Sequence, residues 1–198
     1  MPPASNSSLI ADLEKVLIDA TEIDQRLQAL GQEISQHYQD KELTVISVIN
    51  GAIIFTADLI RQIRIPLILE SLRVSSYQNS CAPQTEPALF DAVTLELKGS
   101  HVLIIDDILD SGRTLSAVIQ HLQSKQPASL KTCVLLDKMC RRDCHMTADF
   151  VGFKIPDAFV VGYGLDYAQR YRQLPCIGIL KPECYQATGQ SAANLDSQ

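Results

Sequence analysis

Residues 101–118, HVLIIDDILDSGRTLSAV, restrict the fold of this 198-residue chain more than any other stretch. Val102 to Ile105 form an apolar run suited to a buried strand, and the run stops at two adjacent acids, Asp106 and Asp107. A small, polar turn follows, Asp110-Ser111-Gly112, and then a segment that opens a helix. Strands alternating with helices build α/β proteins on mostly parallel sheets, and ligands in such proteins lie at the carboxyl ends of the strands. The chain therefore sets three carboxylates within five residues at such an end.

The rest of the sequence repeats the alternation. Ile23, Leu27, Leu30, Ile34 and Tyr38 recur at helical spacing and predict an amphipathic helix. Leu43–Ile49 reads as a buried strand, residues 52–63 as a helix and 65–74 as a strand. After an irregular stretch over 75–100 come a strand at 102–106 and a helix at 113–125. Short strands are expected at 133–136, 150–153, 159–161 and 176–180. Irregular segments of that length inside a domain commonly carry function. Residues 1–8 and 186–198 read as flexible tails on a single domain spanning 1–198.

Composition narrows the partners. A net charge of −6 and a pI near 5.1 give no bulk field for nucleic acid or an anionic membrane. No apolar run reaches the eighteen or so residues that span a bilayer, and MPPASNSSLIADLEKV has no secretory n-region or h-region. The expectation is a cytoplasmic protein with its six cysteines reduced. Cys140-x-x-x-Cys144-His145 lacks a second ligand pair at zinc-finger spacing, so no zinc site is expected there.

A strand that turns through Ser-Gly into a helix leaves backbone N–H groups unpaired at the helix start, with about half a positive charge, and these suit a phosphate. Gly112 admits close approach, Ser111 and Thr114 add hydroxyls, and Arg113 adds charge. The GxxxxGK[ST] pattern is absent, which argues against a P-loop ATPase. Asp106 and Asp107 repel phosphate and need hydroxyls, a metal or another cation; strand alternation sends them to opposite faces. A phosphate beside a diol fits this arrangement, with Asp110 left to act on whatever the sugar carries. Simple helix capping needs one such acid rather than three. A phosphoacceptor receiver domain would carry its acidic pair near the start of the chain, not past the midpoint.

VLIIDDILDSGRTL closely resembles the phosphoribosyl pyrophosphate signature of the type I phosphoribosyltransferases. ISVINGAIIFTADLI, SSYQNS, LLDKMCRRD and DFVGFKIPDAFVVGYGLDYAQRYRQLPCIG resemble, in order, further segments of the 6-oxopurine branch, the hypoxanthine/guanine enzymes. The resemblance spans residues from about 40 to 182. It implies the type I fold, a mostly parallel twisted sheet flanked by helices with a small hood built from the C-terminal region. It also implies transfer of the phosphoribosyl group to N9 of hypoxanthine first and guanine second, with Mg2+.

By the same resemblance Asp106 and Asp107 hold the ribose hydroxyls and contribute to the metal site. Ser111, Gly112, Arg113 and Thr114 cradle the 5′-phosphate, and Asp110 exchanges a proton with purine N7. Lys138 donates to the 6-oxygen, Phe159 stacks on the base and the Val160 backbone meets its edge. Asp166 serves base and metal, while Asn50, Gly51 and Arg172 serve pyrophosphate. Ser76 and Tyr77 belong to a mobile loop that closes over the site.

The chain departs from the pattern at Asn50, where the family carries Lys or Arg, and at Asp106, where this branch carries Glu. Ile49–Asn50 is the expected non-proline cis peptide. The resemblance further implies a homodimer or homotetramer that uses phosphoribosyl pyrophosphate and a purine, without nucleic acid or membrane. A nucleotide-sensing regulator on the same fold is the alternative; the acidic charge and the presence of Asp110 and Lys138 favour an enzyme.

Overall fold

Aliphatic runs separated by amphipathic segments give, in chain order, α1 (Asn6–Ala11), β1 (Leu13–Ile18), α2 (Ala20–His37), β2 (Leu43–Ile49), α3 (Ile53–Ile60), β3 (Leu67–Ser75) and β4 (Ala88–Phe90). There follow β5 (His101–Leu109), α4 (Arg113–Gln123), β6 (Ser129–Lys138), β7 (Phe150–Ile155), β8 (Val160–Val161), β9 (Ile177–Leu180) and α5 (Pro182–Gln186). The structure, a computed structural model, describes residues 6–75, 88–90, 96–138 and 146–186. The chain divides into two compact units, Gln25–Asp157 and a smaller one made of Met1–Asp24 and Ala158–Gln198.

In the larger unit β3, β2, β5, β6 and β7 lie side by side and parallel, and β4 adds to β3 in the antiparallel sense. Val102, Leu103, Ile104 and Ile105 of the interior strand β5 are 0% exposed, as expected for a parallel strand covered on both faces. On one face Ile46, Val48, Leu72, Val102, Ile104 and Val134 pack with Leu115, Val118 and Leu122 of α4. Each of those three helix side chains contributes roughly 1.5–3 kcal/mol by leaving water. On the other face a buried 2.7 Å hydrogen bond between the Ser47 and Thr56 hydroxyls ties α3 to β2. At the outer edge Arg26 of α2 donates to the carbonyls of Val151 and Gly152, which blunts β7 as a pairing edge.

Because these strands are parallel, the turn after β2, the end of β5 and the last residue of β6 share one edge of the sheet. β5 runs to Leu109 rather than stopping at 106, and β6 covers 129–138 rather than 133–136. The ladder explains both: Asp106 pairs with Val134, Ile108 with Leu136 and Leu109 with Asp137. Pairing with a long neighbour overrides the poor strand propensity of the acids.

The smaller unit holds an antiparallel sheet in the order β1-β9-β8. Its core joins Leu9, Leu13, Val161, Tyr171, Leu174, Cys176 and Leu180. The expected hood drew on the C-terminal region alone, whereas this sheet also takes β1 from near the start of the chain. α1 begins at Asn6, inside the stretch expected as a loose tail, and Gln186 closes α5. Among the described residues no helix is long and apolar enough to cross a membrane.

Candidate active site

The turn that follows β2 opens with a cis peptide between Ile49 and Asn50. The Ile53 N–H donates to the Asn50 carbonyl at 3.2 Å as the chain turns into α3. Gly51 lies so near β5 that a Cβ there would collide with the Asp107 carboxylate. Only glycine lets this turn come so close to the acid.

Asp106 is 5% exposed and its Oδ1 accepts from the Asp107 N–H at 2.9 Å. Asp107 is half-buried, and its Oδ1 accepts from the Ile108 N–H at 2.9 Å. Burial first, and then the adjacent Asp107 charge, push the Asp106 carboxyl well above the usual carboxylate range. A pair of this kind is stabilised by hydroxyl donors or a cation.

One turn on, Gly112 holds φ at +84° and starts α4. A residue with a Cβ strains in that left-handed region, so the glycine is what lets strand turn sharply into helix. No side chain caps the helix, and the Arg113 N–H makes a long 3.4 Å contact to the Ser111 hydroxyl. The uncapped first turn and the Ser111 and Thr114 hydroxyls offer donors suited to an anion.

Asp110 faces the end of β6. Its Oδ2 is 3.7 Å from the Lys138 ammonium, and Lys138 is 7% exposed. Its Oδ1 is buried and accepts no hydrogen bond from the described residues. An acceptor left so costs about 1–3 kcal/mol until a donor arrives. The β5–β6 register, which sets Leu109 opposite Asp137, brings the two side chains to adjacent strand ends.

In the smaller unit, Phe159 precedes β8 with 41% of its surface exposed, and Val160 begins the strand. The chain between β8 and β9 is tightly folded. Tyr163, Ala168, Gln169 and Tyr171 all have positive φ, at 50°, 49°, 62° and 76°. Non-glycine residues in that region are sparse and gather at sites the surrounding structure enforces. Asp166 and Arg172 supply the enforcement: the guanidinium sits 2.8 Å from Asp166 Oδ1 and donates to the Gly164 carbonyl at 2.7 Å. Asp166 Oδ2 also accepts from the Gln169 N–H at 2.8 Å. From below, the buried Tyr171 hydroxyl donates to Asp12 at 2.9 Å, and burial and Asp12 push its pKa up to about 12.

A family described as "Phosphoribosyl transferase domain" matches residues 18–168. A hypoxanthine-guanine phosphoribosyltransferase of Bacillus subtilis is 46% identical over 176 residues, covering 89% of this chain and 98% of that one. The chain belongs to the hypoxanthine-guanine phosphoribosyltransferase family. A second such relative, from Mycobacterium avium, is 41% identical over 93% of this chain and 94% of its own. A crystal structure of a Staphylococcus aureus hypoxanthine phosphoribosyltransferase superposes with a TM-score of 0.87 at 40% identity, covering 92% of this chain and 99% of that chain.

The parallel sheet flanked by helices is the phosphoribosyltransferase fold that the resemblance implied. Of the residues singled out in this phosphoribosyltransferase, Asn50, Gly51, Asp106, Asp107, Asp110–Thr114 and Lys138 gather on one sheet edge. Phe159, Val160, Asp166 and Arg172 belong to the smaller unit. Ser76, Tyr77, Cys140, Cys144 and His145 lie outside the described residues. Asp166 and Arg172, assigned to separate tasks, are paired directly with each other. Sequence reasoning missed Asp12 behind Tyr171, the Gly51–Asp107 approach and the Tyr185 ring on Phe159. Asp12 and Tyr171 are 159 positions apart, a separation at which spacing carries no signal.

Among the described residues no group of three or more acids, histidines or cysteines could hold a metal alone. Adjacent Asp106 and Asp107 nonetheless fit Mg2+, which takes one or two carboxylates and completes its shell with water and substrate phosphates.

Proposed function

We propose that this protein is a purine-salvage enzyme of the cytoplasm. It transfers the 5-phosphoribosyl group from phosphoribosyl pyrophosphate to N9 of hypoxanthine, and also of guanine, giving IMP or GMP. The observation that carries the reading is the Asp110–Lys138 pair, set beside an uncapped, glycine-started helix and two further acids.

The 5′-phosphate binds the loop from Ser111 to Thr114, and Asp106 and Asp107 accept from the ribose hydroxyls. The pyrophosphate lies against Asn50 and Gly51. Asp106 and Asp107 would hold Mg2+, which would neutralise charge on the pyrophosphate. Phe159 stacks on the purine and the Val160 backbone meets its edge.

Purine N9 forms its bond to the sugar carbon as the bond from that carbon to pyrophosphate breaks, and the pyrophosphate leaves with the electron pair. The proton on N7 of the free base passes to Asp110, whose Oδ1 has no donor among the described residues. Lys138 donates to the 6-oxygen. Adenine offers a donor at that position, so a buried ammonium faces an N–H group at a cost of about 1–3 kcal/mol, or roughly 5- to 150-fold.

The direct test is Asp110→Asn. It keeps the shape and removes the base, and should lower kcat with hypoxanthine about 10²- to 10⁴-fold while phosphoribosyl pyrophosphate still binds. An unchanged kcat would contradict the role.

A further inference from the structure

Phe159 is a large apolar ring that stays 41% exposed, yet it is firmly held. Tyr185 of α5 stacks on it, with centroids 5.0 Å apart and planes 29° from parallel. Tyr167 meets it edge-on at 5.6 Å and 85°, and meets Tyr185 at 6.3 Å and 70°. The Tyr167 hydroxyl donates to the Tyr185 carbonyl at 3.3 Å, tying α5 to the loop after β8. The Phe159 carbonyl accepts from the Leu180 N–H at 3.0 Å, so the backbone is anchored as well. Stacked and edge contacts have preferred geometries, and together they set the plane of the ring. Tyr185 takes one side of the ring, and 41% of Phe159 remains open to solvent.

We propose that Tyr185 is a positioning residue for the purine: it fixes Phe159 from behind in the plane that stacks on the base, so α5 sets base affinity. The inference rests on the reading of Phe159 as the stacking partner of the base. A platform oriented before binding spares the complex the ordering of a free side chain. The residues assigned to the ribose and 5′-phosphate lie on β5 and at the start of α4, in the larger unit, so the effect expected of Tyr185 is on the base.

The test is steady-state nucleotide formation by the full-length chain and by Tyr185→Ala, Tyr185→Leu and Tyr185→Phe. Leucine keeps apolar bulk under Phe159 and so preserves the fold even if alanine does not. Ala and Leu should raise the KM for hypoxanthine and guanine about 3- to 10-fold, with kcat and the KM for phosphoribosyl pyrophosphate near wild type. Phe, which keeps the ring, should restore the base KM. An unchanged base KM in the Leu protein, or equal rises in both KM values, overturns the inference. If the wild type makes no nucleotide, the reaction assigned above fails instead. Calorimetric binding of hypoxanthine to wild type and Tyr185→Leu then decides the part of Tyr185: weaker binding by the variant supports it, equal or absent binding overturns it.

Discussion

Asn50 presents an exposed amide where the family pattern carries a cation, and it does so at the turn that passes closest to Asp107. A lysine here would add a charge-assisted contact to pyrophosphate. Asn50→Lys should therefore lower the KM for phosphoribosyl pyrophosphate about 3- to 10-fold, measured at saturating hypoxanthine. A KM that rises or stays fixed would mean that this turn does not meet the leaving group. Asp106 carries the opposite lesson. Its place beside Asp107 was legible, but strand alternation, which predicts opposite faces, was not decisive: the two carboxyls interact, and Asp106 is buried to 5% exposure.

At the level of elements, the ends of β6 and β7 are pinned by one acid. Asp149 accepts from the Thr132 N–H at 2.9 Å and the Thr132 hydroxyl at 3.1 Å, and pairs with Lys131 at 2.7 Å. Partial burial acts to raise its pKa, but the Lys131 and Thr132 hydrogen bonds outweigh it and hold the carboxyl below the usual range. A depressed folded-state pKa gives stability that is full above the unfolded value and is lost as pH falls through the folded one. Asp149→Ala should thus lower unfolding free energy by about 1–2 kcal/mol at neutral pH, the low end reflecting partial solvent screening. Urea midpoints should show the gap to wild type closing below about pH 4. A gap independent of pH would contradict the account.

The elements differ in how readily the sequence betrays them. β2 was fully legible, since Leu43–Ile49 is aliphatic apart from Thr44 and Ser47 and buried on both faces. β1 was not: in LEKVLI only Leu13 and Ile18 are buried, so its pattern looks polar until β9 pairs with it. Strand ends were misjudged where the strand runs on through a polar residue, as β5 does through Asp107 to Leu109 and β6 through Asp137 to Lys138.

For the whole molecule, the sequence reveals chemistry best where neighbours in the chain act together. The run from Asp106 to Thr114 is such a case: its turn and helix appear as read, with the strand before them running on to Leu109. It reveals least where distant segments cooperate. Asp12 supports Tyr171, and Tyr185 supports Phe159, through contacts that only the folded smaller unit creates. The division into two units was likewise invisible, because no linker or composition break marks Asp24 or Asp157. The measurement to make is nucleotide formation by the purified chain with Mg2+ and phosphoribosyl pyrophosphate, offered hypoxanthine, guanine and adenine in separate reactions. IMP and GMP with equimolar pyrophosphate, and adenine used roughly 5- to 150-fold less well, is the predicted result. AMP formed as readily as IMP would contradict the account at Lys138, and no product from any base would contradict it altogether.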